Sequence, residues 1–340
     1  MSAETLSWLN TQVLIGFTDP QYGRGNAWHY RADLQGDEPN HYKHAVPVDD
    51  VLRRLYNWEA VEAPVYIKIG ENFIEDTERK AIVRGDTNDI FATFKSGYQV
   101  HQYREWLLGS VANLLDDDDL SIGTAGLLRN GAKSFVTIEL PETVDVAGTG
   151  FSIRPHLLAC TSHDGTLSTT FQLVSTVVVC DNTLAGALGE NTPQYKVRHS
   201  KNSAFRLQTV RDALTLVHSY SDDLSLELER LATQAVVDNE FQAIIERLVP
   251  VAQDVDVRPQ VKARAENKQE LLRHLYYNDP RVAPWNGTAL GVLQTWNTYQ
   301  HHFAGSDETR VERNMLNGLT GKAEQYDRQV LSLIKELVFA

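Results

Sequence analysis

Cysteine is almost missing from this chain: Cys160 and Cys180 are the only two in 340 residues. That excludes a disulfide-stapled scaffold, and their spacing completes no closed zinc motif, so both are read as reduced core thiols. No apolar run approaches the roughly 18 residues that span a bilayer, so no membrane role is expected. The opening MSAETLSWLN has neither a basic region nor an apolar core, and no secretory signal is expected from it. Also absent are the G-x-x-x-x-G-K-[ST] phosphate loop, the G-x-S-x-G elbow and H-E-x-x-H. Gly123, Gly126 and Gly131 are too irregular for a dinucleotide fingerprint. No pair of general acids and bases is fixed by spacing, so the chain leans away from an enzyme and no cofactor or metal is expected. The run Asp116–Asp119 reads as a solvated acidic turn, since cation loops alternate their ligands with Gly or Asn. His163-Asp164 beside Cys160 is the one cluster with metal-ligand residue types, but Asp164 is needed for a turn.

Positive charge is scarce as well, with a formal net charge of −13. It is also segregated. Residues 212–256 hold ten acids and two bases, and Asp116–Asp119 add four more carboxylates, so the remainder is close to neutral. Against this background Tyr195–Arg211 reverses sign. It carries Lys196, Arg198, Lys201, Arg206 and Arg211 with no acid among them. Arg198, Lys201, Arg206 and Arg211 can hold phosphates, with Lys196 and His199 assisting. Tyr195 and Phe205 can stack on bases, as single-strand binders pair a basic groove with aromatic platforms. Internal pairing of these cations with the acidic segment that follows is the competing account.

The pattern of the chain predicts an α+β fold: an antiparallel, β-rich N-terminal part with packed helices over 1–203, then a helical region over 204–340. A short helix follows Pro47, and Trp58–Ile69 reads as a strand that turns at Gly70-Glu71-Asn72 into another. Arg79–Arg84 and Ile90–Phe94 read as two more strands. Tyr98–Leu115 has the apolar spacing of a helix. Ile122–Leu128 and Ser134–Leu140 form a hairpin around Asn130-Gly131. A central hairpin follows: LLACTSHDG at 157–165 supplies its Asp-Gly turn, and the apolar run Val174–Cys180 suggests a strand covered on both faces. Apolar stripes place helices along 204–248, then at 260–277, 288–303, 308–317 and 320–338. They exceed what one bundle face needs, so a homo-oligomer is expected. His301-His302 are read as exposed residues at a helix end.

Several segments carry a resemblance when taken together. GNAWH at 25–29, GYQVHQ at 97–102, AGLLRNGAKSFV at 125–136, LLACTSHDG, VVVCDNTL at 177–184, KVRHS at 196–200 and GTALGVLQTWNTYQHH at 287–302 form an ordered set. The set resembles an uncharacterised family of phage and plasmid proteins known as a domain of unknown function. The resemblance implies action in a bacterial cytoplasm and no agreed activity. Together with the basic segment it suggests a phage-encoded accessory protein that binds single-stranded DNA or RNA, annealing strands in recombination or replication without ATP. A protein-binding module, such as an acidic inhibitor of host defence or DNA mimic, is the alternative. An enzyme centred on His163, Asp164 and His199 is the third.

Overall fold

The computed structural model describes residues 13–17, 40–109, 121–139, 144–177, 183–185, 194–200, 223–252 and 258–339, and their architecture is α+β. The run Asp116–Asp119, Cys180, Lys201, Phe205, Arg206, Arg211 and the expected boundary between 203 and 204 lie outside them. In chain order the first elements are β1 (Val13–Phe17), β2 (His41–Tyr42), α1 (Val48–Arg54), β3 (Ala60–Ile69), β4 (Asn72–Arg84) and β5 (Ile90–Lys95). A π-helical turn, Arg104–Gly109, leads to β6 (Ser121–Leu128), β7 (Lys133–Glu139), β8 (Val144–Val146), β9 (Phe151–Ser162) and β10 (Thr169–Val177). Then come β11 (Thr183–Ala185), β12 (Gln194–Val197) and a helical segment over 223–233. The last helices are α2 (Asp238–Leu248), α3 (Pro259–Asn278), α4 (Ala289–Thr298), α5 (Asp307–Thr320) and α6 (Lys322–Leu337).

The chain forms two compact units. The first comprises 1–142, 155–173 and 193–218, and the second 143–154, 174–192 and 219–340. In the first, strands follow the order β2-β1-β6-β7-β9-β10, with β12 on the free edge of β10. β6, β7 and β9 are antiparallel, with Phe135 opposite both Gly126 and Cys160. Every residue of β7 is buried, so both faces of this strand are covered. That includes Lys133 and Ser134, whose polar ends need partners: Ser134 Oγ lies 2.7 Å from the Tyr56 hydroxyl. Fully buried Leu55, Ile82, Leu107, Ile122, Leu128, Ile138 and Leu157 make this core, each such side chain contributing about 1.5–3 kcal/mol. A separate three-stranded sheet, β3-β4-β5, is built from consecutive strands.

The second unit packs the 223–233 segment and α2, α3, α4 and α6 around Leu228, Ile244, Leu272, Leu290, Trp296 and Ile334. Val146 and Ile153, on β8 and the start of β9, join that core. All ten residues of α4 are buried, polar ones included, so its amphipathic stripe has become a wholly enclosed helix.

Three expectations need correction. Residues 98–102 belong to no helix, and the helical turn begins only at Tyr103. Here Tyr98 and His101 are drawn into ring contacts that a continuous helix would forfeit. Phe73 onward and Arg79–Arg84 are not two strands but one, β4, pairing β3 along its length. His301 and His302 sit half-buried in a π-helical turn, Tyr299–Phe303. Among the described residues no helix is long and apolar enough to cross a membrane.

Candidate functional site

The β12 strand pairs with β10 through Tyr195 opposite Phe171, Lys196 opposite Thr170 and Val197 opposite Thr169. The two-residue period of a strand then sorts its side chains. Lys196 is exposed, with Tyr195 and Val197 half-buried on the other side; past the strand's end Arg198 and Ser200 are exposed and His199 is half-buried. Neither Lys196 nor Arg198 makes an ion pair among the described residues. Lys196 is close enough to Cys160 to oppose the rise in its pKa, but burial wins and pushes that thiol up to about 12. The thiol is thus inert at neutral pH.

His199 enters a column of parallel rings. Trp106 stacks on His101 with centroids 3.5 Å apart, His101 on His199 at 4.0 Å, His199 on Tyr98 at 5.0 Å, and Tyr98 on Phe94 at 3.8 Å. Four of the five rings come from residues 94–106, and the column closes only when β12 supplies the fifth. The far end is capped by the Asp164-Gly165 turn. Gly165 has φ +74°, and a Cβ there would lie 2.5 Å from the Phe94 ring. Gly165→Ala is therefore expected to cost about 1–3 kcal/mol in denaturant unfolding and to disturb the column, because backbone strain and ring clash coincide.

A hydrogen-bond chain, buried at its His101 end and exposed at Gln99, runs beside the column. The His199 Nδ1–H donates to the Gln99 carbonyl at 3.1 Å, which leaves Nε2 as an acceptor. Thr161 Oγ1 lies 3.1 Å from that nitrogen, Thr169 Oγ1 lies 2.8 Å from Thr161, and His101 Nδ1 lies 2.7 Å from Thr169. Since a carbonyl can only accept, the neutral chain has one direction: His101 to Thr169 to Thr161 to His199 to Gln99. Burial pulls His101 down to about 3, with repulsion from His199 adding to it. Burial also lowers His199, partly opposed by its bond to Gln99.

His163, fully enclosed, stacks on Tyr103 at 4.0 Å with Phe91 and Trp58 around it. Neither of its ring nitrogens has a hydrogen-bond partner, nor does Trp58 Nε1. Burial, with repulsion from His199 and His101, holds His163 at about 3 despite the neighbouring Asp164. Asp164 itself is claimed elsewhere: its carboxylate accepts from Lys133 Nζ at 2.6 Å and from the Thr166 amide at 3.0 Å. Burial works to raise its pKa, but the bonds from Lys133 and Thr166 prevail and keep it below the ordinary range.

Of the predicted interface residues, the structure therefore places Tyr195 and Lys196 on one edge strand and Arg198 and His199 directly after it. His163, Asp164 and His199 share a neighbourhood, but the carboxylate is spent on Lys133 and the turn, leaving the enclosed imidazole no acid–base partner. No group of three or more His, Cys, Asp or Glu suited to a metal occurs among the described residues. Sequence reasoning missed Phe94, Tyr98, His101 and Trp106. Their signal was the density of rings around GYQVHQ, which helical spacing masked. Residues 91–323 match the family model described as a domain of unknown function, DUF932. No curated protein and no solved structure matches the chain.

Proposed function

The chain belongs to the DUF932 family, and from the geometry of its basic edge strand we propose that it binds single-stranded DNA or RNA along β12. In this reading it is an accessory protein of a phage or plasmid that holds strands for annealing in the bacterial cytoplasm. The observation that carries the proposal is the pair Lys196, on the edge strand β12, and Arg198, just past its end, both exposed and without an ion pair among the described residues of an acidic chain. Two residues apart, they lie at most about 7 Å from one another along the backbone, close to the phosphate repeat of an extended nucleic-acid strand. The ring column supports this role from behind. Its faces are occupied by one another, so it serves less as a platform for bases than as a strut that fixes β12 through His199. Lys95, exposed beside Phe94, adds a third cation nearby in sequence to the column. Lys201, Arg206 and Arg211 would extend phosphate capture, and bases would be left free to pair.

The test is a salt titration of fluorescence anisotropy with labelled oligonucleotides. The double variant Lys196→Ala and Arg198→Ala is expected to weaken binding of all sequences alike, since phosphate contacts carry no sequence information. The log–log salt slope should fall in magnitude by about 1.4, at about 0.7 per phosphate. Both side chains are exposed, so the melting temperature should stay where it was. Unchanged affinity and slope would remove the reading.

A further inference from the structure

We propose that this protein assembles head to tail, the β3–β4 ribbon of one copy docking on the first half of α3 of a second copy. The inference stands apart from nucleic-acid binding. β5 pairs with β4 only over Arg79–Val83, so the ladder from Tyr66↔Glu75 to the Gly70 turn is a bare two-stranded ribbon. Such a ribbon is marginal in water without something to pack against. Exposed apolar side chains stand on both faces: Tyr66 and Phe73 are 54% and 67% exposed on one, where Lys68 lies over the Phe73 ring, and Ile67, Ile69 and Ile74 are 52%, 60% and 54% exposed on the other. Around them stand Glu71, Glu75 and Glu78, all exposed and in no ion pair among the described residues.

The second unit holds an element with the opposite needs. α3 buries nothing before Gln269, although it starts at Pro259. Ala265, half-buried against the core, and then Val261, 51% exposed, continue the stripe that Leu272 and Tyr276 bury, so Val261 carries the apolar face one turn past the core. Arg258, Lys262 and Arg264 flank it, exposed and in no ion pair among the described residues. An acidic, apolar ribbon and a basic helix with an unfinished apolar stripe complement each other in charge and surface. Pairing two ribbons instead would bring like charges together. A contact between two different patches is heterologous, so repetition gives a ring or an open filament.

Sedimentation velocity on the full chain without nucleic acid tests this, with circular dichroism to confirm folding. Wild type at tens of micromolar should sediment above its 38.2 kDa monomer mass and dissociate at high salt. Glu75→Lys with Glu78→Lys should be monomeric, and so should Arg258→Glu with Lys262→Glu and Arg264→Glu. An equimolar mixture of the two variants should reassemble, because reversed ribbon then meets reversed helix. The neutral pair Glu75→Gln and Glu78→Gln should weaken assembly without abolishing folding. A monomeric wild type overturns the proposal. So does a helix variant that still assembles, which would indicate ribbon-to-ribbon pairing, and so does a mixture of folded variants that stays monomeric.

Discussion

Gly291→Ala is expected to destabilise the helical unit by about 3–5 kcal/mol, although glycine to alanine inside a helix ordinarily gains up to about 1 kcal/mol. The reversal comes from one backbone atom. A Cβ on Gly291 would lie 2.2 Å from the Trp285 carbonyl oxygen and 2.9 Å from its carbon. That carbonyl cannot retreat cheaply, because it accepts the Thr288 amide at 3.1 Å and the Thr288 hydroxyl at 2.7 Å. The same hydroxyl caps α4 by accepting the Gly291 amide at 3.2 Å. Moving any member undoes the cap of a helix that has no exposed residue. Denaturant unfolding followed by circular dichroism gives the free-energy difference. A variant as stable as wild type would show that Trp285 and Thr288 do not hold this geometry.

Acid should unfold the protein through its buried histidines. In the unfolded chain a histidine takes up its proton near pH 6.5, whereas His101 and His163 in the fold stay neutral down to about 3. Between those limits the unfolded state binds more protons, so stability is full above pH 6.5 and falls as the pH drops. The slope is about 1.4 kcal/mol per pH unit for each histidine that remains neutral. His163→Phe isolates one of them. The new ring keeps the contacts with Tyr103, Phe91 and Trp58, and it removes two buried nitrogens that have no partner. We expect a gain on the order of 1 kcal/mol at neutral pH, because an unsatisfied buried polar group costs more than an apolar replacement of similar shape. The acid limb should become shallower by about one proton. Urea titrations across pH 4–8 at intervals measure both. A loss of stability at pH 7 with an unaltered acid limb would mean that His163 is neither enclosed nor neutral.

Local chemistry made much of the fold legible. Gly70, Asn130-Gly131 and Asp164-Gly165 announce turns because each needs, and adopts, positive φ. The hairpins around them follow from β-branched runs, and α2, α3, α5 and α6 follow from apolar spacing. What stayed hidden depends on partners distant in sequence. The helical reading of Tyr98–Leu115 fails over 98–102, since Tyr98 and His101 are ring partners of a residue about a hundred positions later. The full enclosure of α4 was not readable either, because its Gln294, Thr295, Asn297 and Thr298 look like a solvent face. The basic segment was legible from charge, but that it opens with a strand was not. Nor was its strut, because stacking geometry leaves no periodic trace.

The ring column also sets an order of events for biogenesis. Phe94, Tyr98, His101 and Trp106 leave the ribosome together, but His199 follows only after β6, β7, β9 and β10 have been made. Contacts across so long a separation are slow to form, since loop closure must precede their reward. β12 is accordingly expected to be the last strand of the first unit's sheet to dock. Until that moment His101 presents an uncovered ring face, and the edge of β10 lacks its neighbour, which is when a nascent or refolding chain is most exposed to mispairing with another.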